Sequence, residues 1–180
     1  MSLLSLFNRP EPLDLRIAAC RASLFRLALM WCHDRALADD LTQEALAKAL
    51  AAAGQLRDPA RLRTWLFGIL ANGWRDHLRA RRPMEDIETV AEQWLVGGDC
   101  PEQALDQSRL ALRVRQAIGR LPMAQREVLG LVDLDSFSYA QVAEILALPI
   151  GTVMSRLCRA RAALRLHLAD DRQVPLRRVK

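Results

Sequence analysis

Residues 138–161 read SYAQVAEILALPIGTVMSRLCRAR, and this stretch decides the fold. Ser138 and Gln141 have the spacing of a capping box, in which hydroxyl and amide satisfy each other's free backbone N–H groups, so a helix starts here. It runs through Tyr139, Val142, Ala143 and Ile145. Leu146-Ala147-Leu148 makes a short connection, and Pro149 opens the next helix. Small Ala143 lets the two helices cross closely. On the second helix, Val153, Leu157, Ala160 and Leu164 form one apolar face, while Thr152, Ser155, Arg156 and Arg159 form another that is polar and cationic. A helix that reads the major groove needs this division: an apolar seat, then hydroxyls and guanidiniums that reach phosphates and base edges. An arginine row alone also fits a plain solvated face. The capping box, short turn and opening proline favour a helix-turn-helix.

Outward from this motif the chain stays helical. Leucine, alanine and arginine dominate and strand-like alternation is lacking, so propensity and periodicity agree on an all-α protein. Leu110, Val114, Ala117 and Leu121 form a stripe upstream, and Pro122 suits the first turn of a following helix. Near the start, Leu13, Ile17, Cys20, Leu24, Leu27 and Trp31 read as the stripe of a single amphipathic helix; a second covers residues 36–53, and a long one covers residues 61–81 until Pro83. Between the halves, residues 84–106 carry Glu85, Asp86, Glu88, Glu92, Asp99, Glu102 and Asp106 with no Lys or Arg, the composition of an acidic linker. The division is a tail over 1–12, one small helical domain over 13–83, a linker over 84–104, a second domain over 105–168, and a basic tail over 169–180.

In the first half, Asp40, Gln43 and Glu44 share one helical face that can meet arginines on a partner. On the long helix, Trp65, Gly68, Asn72, Arg75 and Arg79 lie along one stripe, a mixture of π-face, amide and cations suited to single-stranded DNA. Trp65, Phe67 and Trp74 cannot all face DNA, and at least two are expected in the core.

Composition narrows the classes. The chain has 180 residues, 51% hydrophobic and 26% charged, with a formal charge of +5, which excludes global disorder and favours an anionic partner. Residues 1–8 lack the pattern of a signal peptide, and no apolar run approaches a membrane span, so no membrane insertion and a cytoplasmic location are expected. Cys20, Cys32, Cys100 and Cys158 form no C-x-x-C pair, and His33, His77 and His167 are scattered, so no metal, cofactor or catalytic residues are expected, and no enzyme.

Leu121-Pro122, Gln125-Arg126-Glu127-Val128, Ser138-Tyr139, Val142-Ala143-Glu144-Ile145, Gly151-Thr152-Val153, Ser155-Arg156-Leu157 and Arg159-Ala160-Arg161 together resemble region 4 of extracytoplasmic-function (ECF) sigma factors, a subfamily of the sigma-70 family. Thr64-Trp65-Leu66-Phe67, Ile69, Ala71-Asn72 and Asp76-His77-Leu78-Arg79 are similar to regions 2.3 and 2.4, and residues 38–44 to region 2.2. The resemblance implies that Thr152, Ser155, Arg156 and Arg159 read the minus-thirty-five element, with Met154 where a basic residue is frequent. It implies a minus-ten surface of Leu56, Arg57, Arg61, Trp65, Asn72, Arg75 and Arg79. Asn72 matches a base-reading position, and Leu56 stands where some members have an aromatic. It further implies docking of Asp40, Gln43 and Glu44 on the β' clamp helices of the RNA polymerase core, a seat for the β flap around Val128, Leu129 and Leu131, and control by an anti-sigma factor. Two other readings fit parts of the chain. A decoy that sequesters an anti-sigma factor would not need DNA-reading groups; a polymerase-independent helix-turn-helix repressor would leave the first half unexplained.

Overall fold

The computed structural model describes residues 12–81 and 104–170, so nearly all of the acidic linker and of both tails lies outside the described residues, although α8 runs two residues into the expected C-terminal tail. Eight α-helices make up the frame, with no strand among the described residues: α1 (Leu13–Ala19), α2 (Arg21–Cys32), α3 (Arg35–Ala51), α4 (Leu62–Arg81), α5 (Ala104–Gly119), α6 (Met123–Leu129), α7 (Tyr139–Leu146) and α8 (Ile150–Asp170).

The single helix expected from Leu13 is divided in two. Cys20 N–H bonds to Ile17 O instead of the carbonyl one residue earlier, and its thiol lies 3.4 Å from Arg16 O, so the helical ladder slips before Leu24 N–H resumes it on Cys20 O. The stripe survives the slip: Ile17, Leu24, Leu27 and Trp31 are all buried. Asp34 starts α3 by accepting from the backbone N–H of Ala36 and Leu37, and α3 buries Ala38, Leu41, Ala45 and Ala49 between α2 and α4. From α4, Leu62, Leu66, Phe67, Leu70, Ala71 and Trp74 complete this bundle. Phe67 and Trp74 are therefore core, as expected of two of the three aromatics, while Trp65 is half-buried against it.

In the second half, the capping box has both of its bonds, Gln141 N–H to Ser138 Oγ and Ser138 N–H to Gln141 Oε1. Helix α7 ends in a Schellman turn: Leu148 N–H reaches Ala143 O and Ala147 N–H reaches Glu144 O, with Ala147 left-handed at φ 51°. Pro149 then precedes α8, whose Val153, Leu157 and Ala160 are buried against α5, α6 and α7. One feature was not anticipated from sequence. Helix α6 runs without a break into a π-type turn, Gly130–Leu134, closed by Asp135 N–H on Gly130 O, and this turn delivers Asp135 and Phe137 to the face of the first bundle.

The two halves share one core. Phe67 of α4 meets Phe137 edge to face at 4.9 Å between ring centroids. Gly130 sits against α2 so closely that a Cβ there would lie 2.6 Å from Leu27 Cδ1 and 3.1 Å from Met30 Sδ, which is why the close approach requires glycine. Arg126, 9% exposed, donates to Trp31 O at the end of α2 and to Gly119 O and Leu121 O beside α5. Helix α4 also packs on α7.

Candidate nucleic-acid and protein interfaces

On α8 the predicted cationic face is present. Ser155 and Arg159 are exposed and Thr152 and Arg156 half-buried, all clear of the buried stripe that the helix seats. Ser155 Oγ donates to the backbone carbonyl of Thr152, which fixes the Ser155 side chain on that surface. Met154 is 52% exposed on the same helix, so an apolar side chain stands in the solvent where the related pattern has a cation. Arg161 is held to Asp133, with Nε 3.1 Å from Oδ2, and serves the packing of α8 on the π-type turn.

Asp40, Gln43 and Glu44 are all exposed on α3, as the spacing required. Glu44 pairs with Lys48 at 2.6 Å and Gln43 donates to Asp39, which in turn holds Arg21 at 2.7 Å. Such exposed pairs contribute little stability, so the face can exchange these partners for others at small cost.

The α4 stripe is divided between solvent and the second half. Asn72 is exposed and its Oδ1 accepts from Arg75; Arg79 is exposed and pairs with Asp76 at 3.1 Å. Asp58 caps the short turn Pro59–Arg61 through Ala60 N–H, and Arg16 of α1 donates to Pro59 O, so the loop is tied down just before α4. Arg57 is exposed at its start. Leu56 is half-buried against the core, so only part of its side chain is left for a base. Arg61 is ion-paired with Glu144 of α7, and Arg75 reaches Ile145 O at the C-terminal end of α7.

Sequence reasoning missed Arg63. Its guanidinium lies 4.8 Å from the Phe137 ring centroid and 5.7 Å from that of Phe67, donates to Asp135 O and stands 3.6 Å from Asp135 Oδ1. No local signal marks it, because every partner except Phe67 is some seventy residues away. Burial pushes the Asp135 carboxyl up, and Arg63 and Arg26 pull it back. Burial likewise pushes up Glu127 of α6, opposed by the guanidiniums of Arg156 and Arg75, so one cation from each candidate DNA surface bears on this carboxylate.

The seat expected around Val128, Leu129 and Leu131 is not a surface in this arrangement. All three side chains are buried, because the α6 end and its π-type turn are pressed against α2.

Comparison with known proteins bears on both halves. The sigma-70 region 2 family matches residues 17–83, and the sigma-70 region 4 family matches residues 111–164. RNA polymerase sigma-H factor of Pseudomonas aeruginosa is 33% identical over 160 residues, covering 84% of this chain and 83% of that one. ECF RNA polymerase sigma-E factor of Escherichia coli is 34% identical over 146 residues, with 76% and 74% covered. Among solved structures, the sigma factor RpoE in complex with the anti-sigma factor NepR from Bartonella quintana superposes with a TM-score of 0.68 at 29% identity, over 87% of this chain and 96% of that one. CnrH in complex with the cytosolic domain of CnrY gives 0.60 at 28% identity, with 88% of each chain covered.

Proposed function

Because this chain belongs to the ECF subfamily of sigma-70-type sigma factors, we propose that it binds the RNA polymerase core and directs it to promoter DNA, without covalent chemistry of its own. The carrying observation is the conjunction, in one chain and in family order, of an exposed acidic face on α3, an amide and arginines on α4, and a cationic face on α8. Asp40, Gln43 and Glu44 dock on the β' clamp helices, where charge complementarity speeds encounter and fixes register more than it adds affinity. Thr152, Ser155, Arg156 and Arg159 anchor the minus-thirty-five duplex in the major groove. Leu56, Arg57, Arg61, Trp65, Asn72, Arg75 and Arg79 hold unpaired minus-ten bases, so that binding energy is spent on melting. The β flap engages the α6 region once that region leaves α2.

Work in the cytoplasm follows from that partner; no single helix among the described residues is long and apolar enough to cross a membrane. The similarity to a sigma factor solved with an anti-sigma factor supports control by such a partner. Run-off transcription with purified core polymerase on a promoter library tests the reading: the chain should confer promoter-specific initiation that core alone lacks. Charge reversal of Asp40 and Glu44 should weaken core association with helicity unchanged, and unchanged association would remove that face from the interface. Arg156→Ala should cost about 1–3 kcal/mol at one base position if it reads a base edge. An even loss over all sequences with a flatter salt dependence would mark a phosphate contact instead.

A further inference from the structure

Residues four apart form side-by-side rows along a helix, and the start of α8 presents such rows with different chemistry. The row of Val153 and Leu157 is buried and seats the helix. Opposite it run Gly151, Ser155 and Arg159, all exposed, and on one flank stand Thr152 and Arg156, half-buried. The other flank differs in kind. Ile150 and Met154 are 50% and 52% exposed and Cys158 follows them, so this row puts two large apolar side chains and a thiol into solvent beside the groups assigned to DNA. The next cation along that side, Arg161, is engaged by Asp133 of the π-type turn. A Cβ on Gly151 would meet nothing within 4 Å, so the space beside the row is open to a ligand. A lone exposed methionine needs no explanation. Two apolar side chains in one row on the first turns of the second helix of a helix-turn-helix, the turns that enter the major groove, do.

Neither Ile150 nor Met154 has a side-chain N–H or O–H to donate to a phosphate or to N7 and O6 of guanine, and a thioether is only a weak acceptor for the amino groups of adenine and cytosine. Against those edges the row strips water from polar atoms and offers them no bond in return. Thymine alone of the four bases presents an apolar group in the major groove, its C5 methyl. An unbranched, polarizable thioether adapts to the position of such a methyl. Resting on the sigma-factor reading, we propose that Met154, backed by Ile150, is a specificity-determining residue that selects thymine in the upstream promoter element through its C5 methyl group. The rows of α8 then divide the work. Ser155, Arg156 and Arg159 hold phosphates and hydrogen-bonding edges, while the apolar flank discriminates mainly by penalising the wrong base. Burial of one methyl against Met154 contributes about fourfold in affinity.

The test uses holoenzyme assembled from the full-length chain and purified core polymerase. Run-off transcription from templates with a randomised upstream element first identifies the preferred bases, and each preferred thymine is then replaced in turn by deoxyuridine. Deoxyuridine keeps the base pairing and the O4 acceptor and lacks only the methyl. Competition for limiting holoenzyme at fixed salt reads the affinity ratio of the thymine and deoxyuridine templates. The assignment predicts a ratio of about four at one thymine or more for wild type, about the same for Met154→Leu, and below about 1.5 for Met154→Ala at those positions. Helicity by circular dichroism should be equal, since the side chain is half in solvent. If Met154→Ala loses helicity, Met154→Gln, which keeps the length and loses the apolar end, must show the same collapse of the ratio. A wild-type library with no preferred thymine, a ratio near one at every thymine, or an equal ratio in wild type and Met154→Ala overturns the assignment while promoter-specific transcription leaves the sigma-factor reading standing. Absence of any promoter-specific transcript from wild type overturns that reading, and the assignment with it.

Discussion

Replacing Arg126 with methionine removes the guanidinium and keeps most of the packing stem. Its Nη1 lies 3.0 Å from Trp31 O, and its Nη2 lies 3.0 Å from Leu121 O and 3.2 Å from Gly119 O. These carbonyls lie at or just past helix ends, where no intrahelical N–H is available to them. In Arg126→Met all are left buried without that donor, at about 1–3 kcal/mol each if water cannot reach them. Relief of the guanidinium's own desolvation offsets part of the loss, since removing a buried charge together with its burial cost is favourable. The net is about 2–4 kcal/mol, smaller than the sum because contacts to one side chain do not add. Equilibrium urea unfolding followed by circular dichroism checks it. With about 2–4 °C per kcal/mol for a chain of this size, thermal midpoints should fall by roughly 5–15 °C. Arg126→Lys should recover less than half of the loss, because one ammonium cannot spread over carbonyls on three sides as a planar fork does. A loss below about 1 kcal/mol for Arg126→Met would refute the reasoning, showing that water or a rearranged turn satisfies the carbonyls without cost.

Two other predictions concern left-handed residues. Ala147 closes the Schellman turn of the helix-turn-helix at φ 51°, where its Cβ is strained, so Ala147→Gly should stabilise the chain by about 0.5–1 kcal/mol in the same unfolding assay; destabilisation would mean the methyl group packs usefully. His33, at φ 58° after α2, has its imidazole pushed down to about 4 by burial and by the nearby Arg126. The folded state therefore holds it neutral while an unfolded chain protonates it near 6.5, so its contribution is present above pH 6.5 and lost as pH falls towards 4. At pH 5 the loss is at most about 2 kcal/mol. His33→Asn, which tolerates the left-handed backbone, should flatten the difference in stability between pH 7.5 and pH 5 relative to wild type; an identical slope would exclude His33 as its source.

Local chemistry made much of this protein readable along the chain. Capping by Ser138 and Gln141, the placement of Pro122 and Pro149, and the apolar stripes of α4 and α8 depend on residues within a turn or two of one another. A one-dimensional sequence therefore carries the all-α class, the helix-turn-helix and which face of α8 is cationic. The exposed face of Asp40, Gln43 and Glu44 is legible for the same reason. The slip at Cys20 and the π-type turn after α6 are not, because each turns on one hydrogen bond chosen over a neighbouring one of similar energy.

What only tertiary structure decided is the state of the binding residues. Sequence puts Arg61 and Arg75 on a DNA-binding surface, and the fold gives both a partner from the other half of the chain. It also turns Val128, Leu129 and Leu131 inward and makes Arg63 the centre of a seam that nothing local announces. Such pairings join residues about seventy to ninety-five positions apart across an acidic linker. Helix periodicity specifies which side chains share a face, but not which face meets which. That choice depends on shape and charge complementarity between two folded bodies, a property that exists only after each has formed.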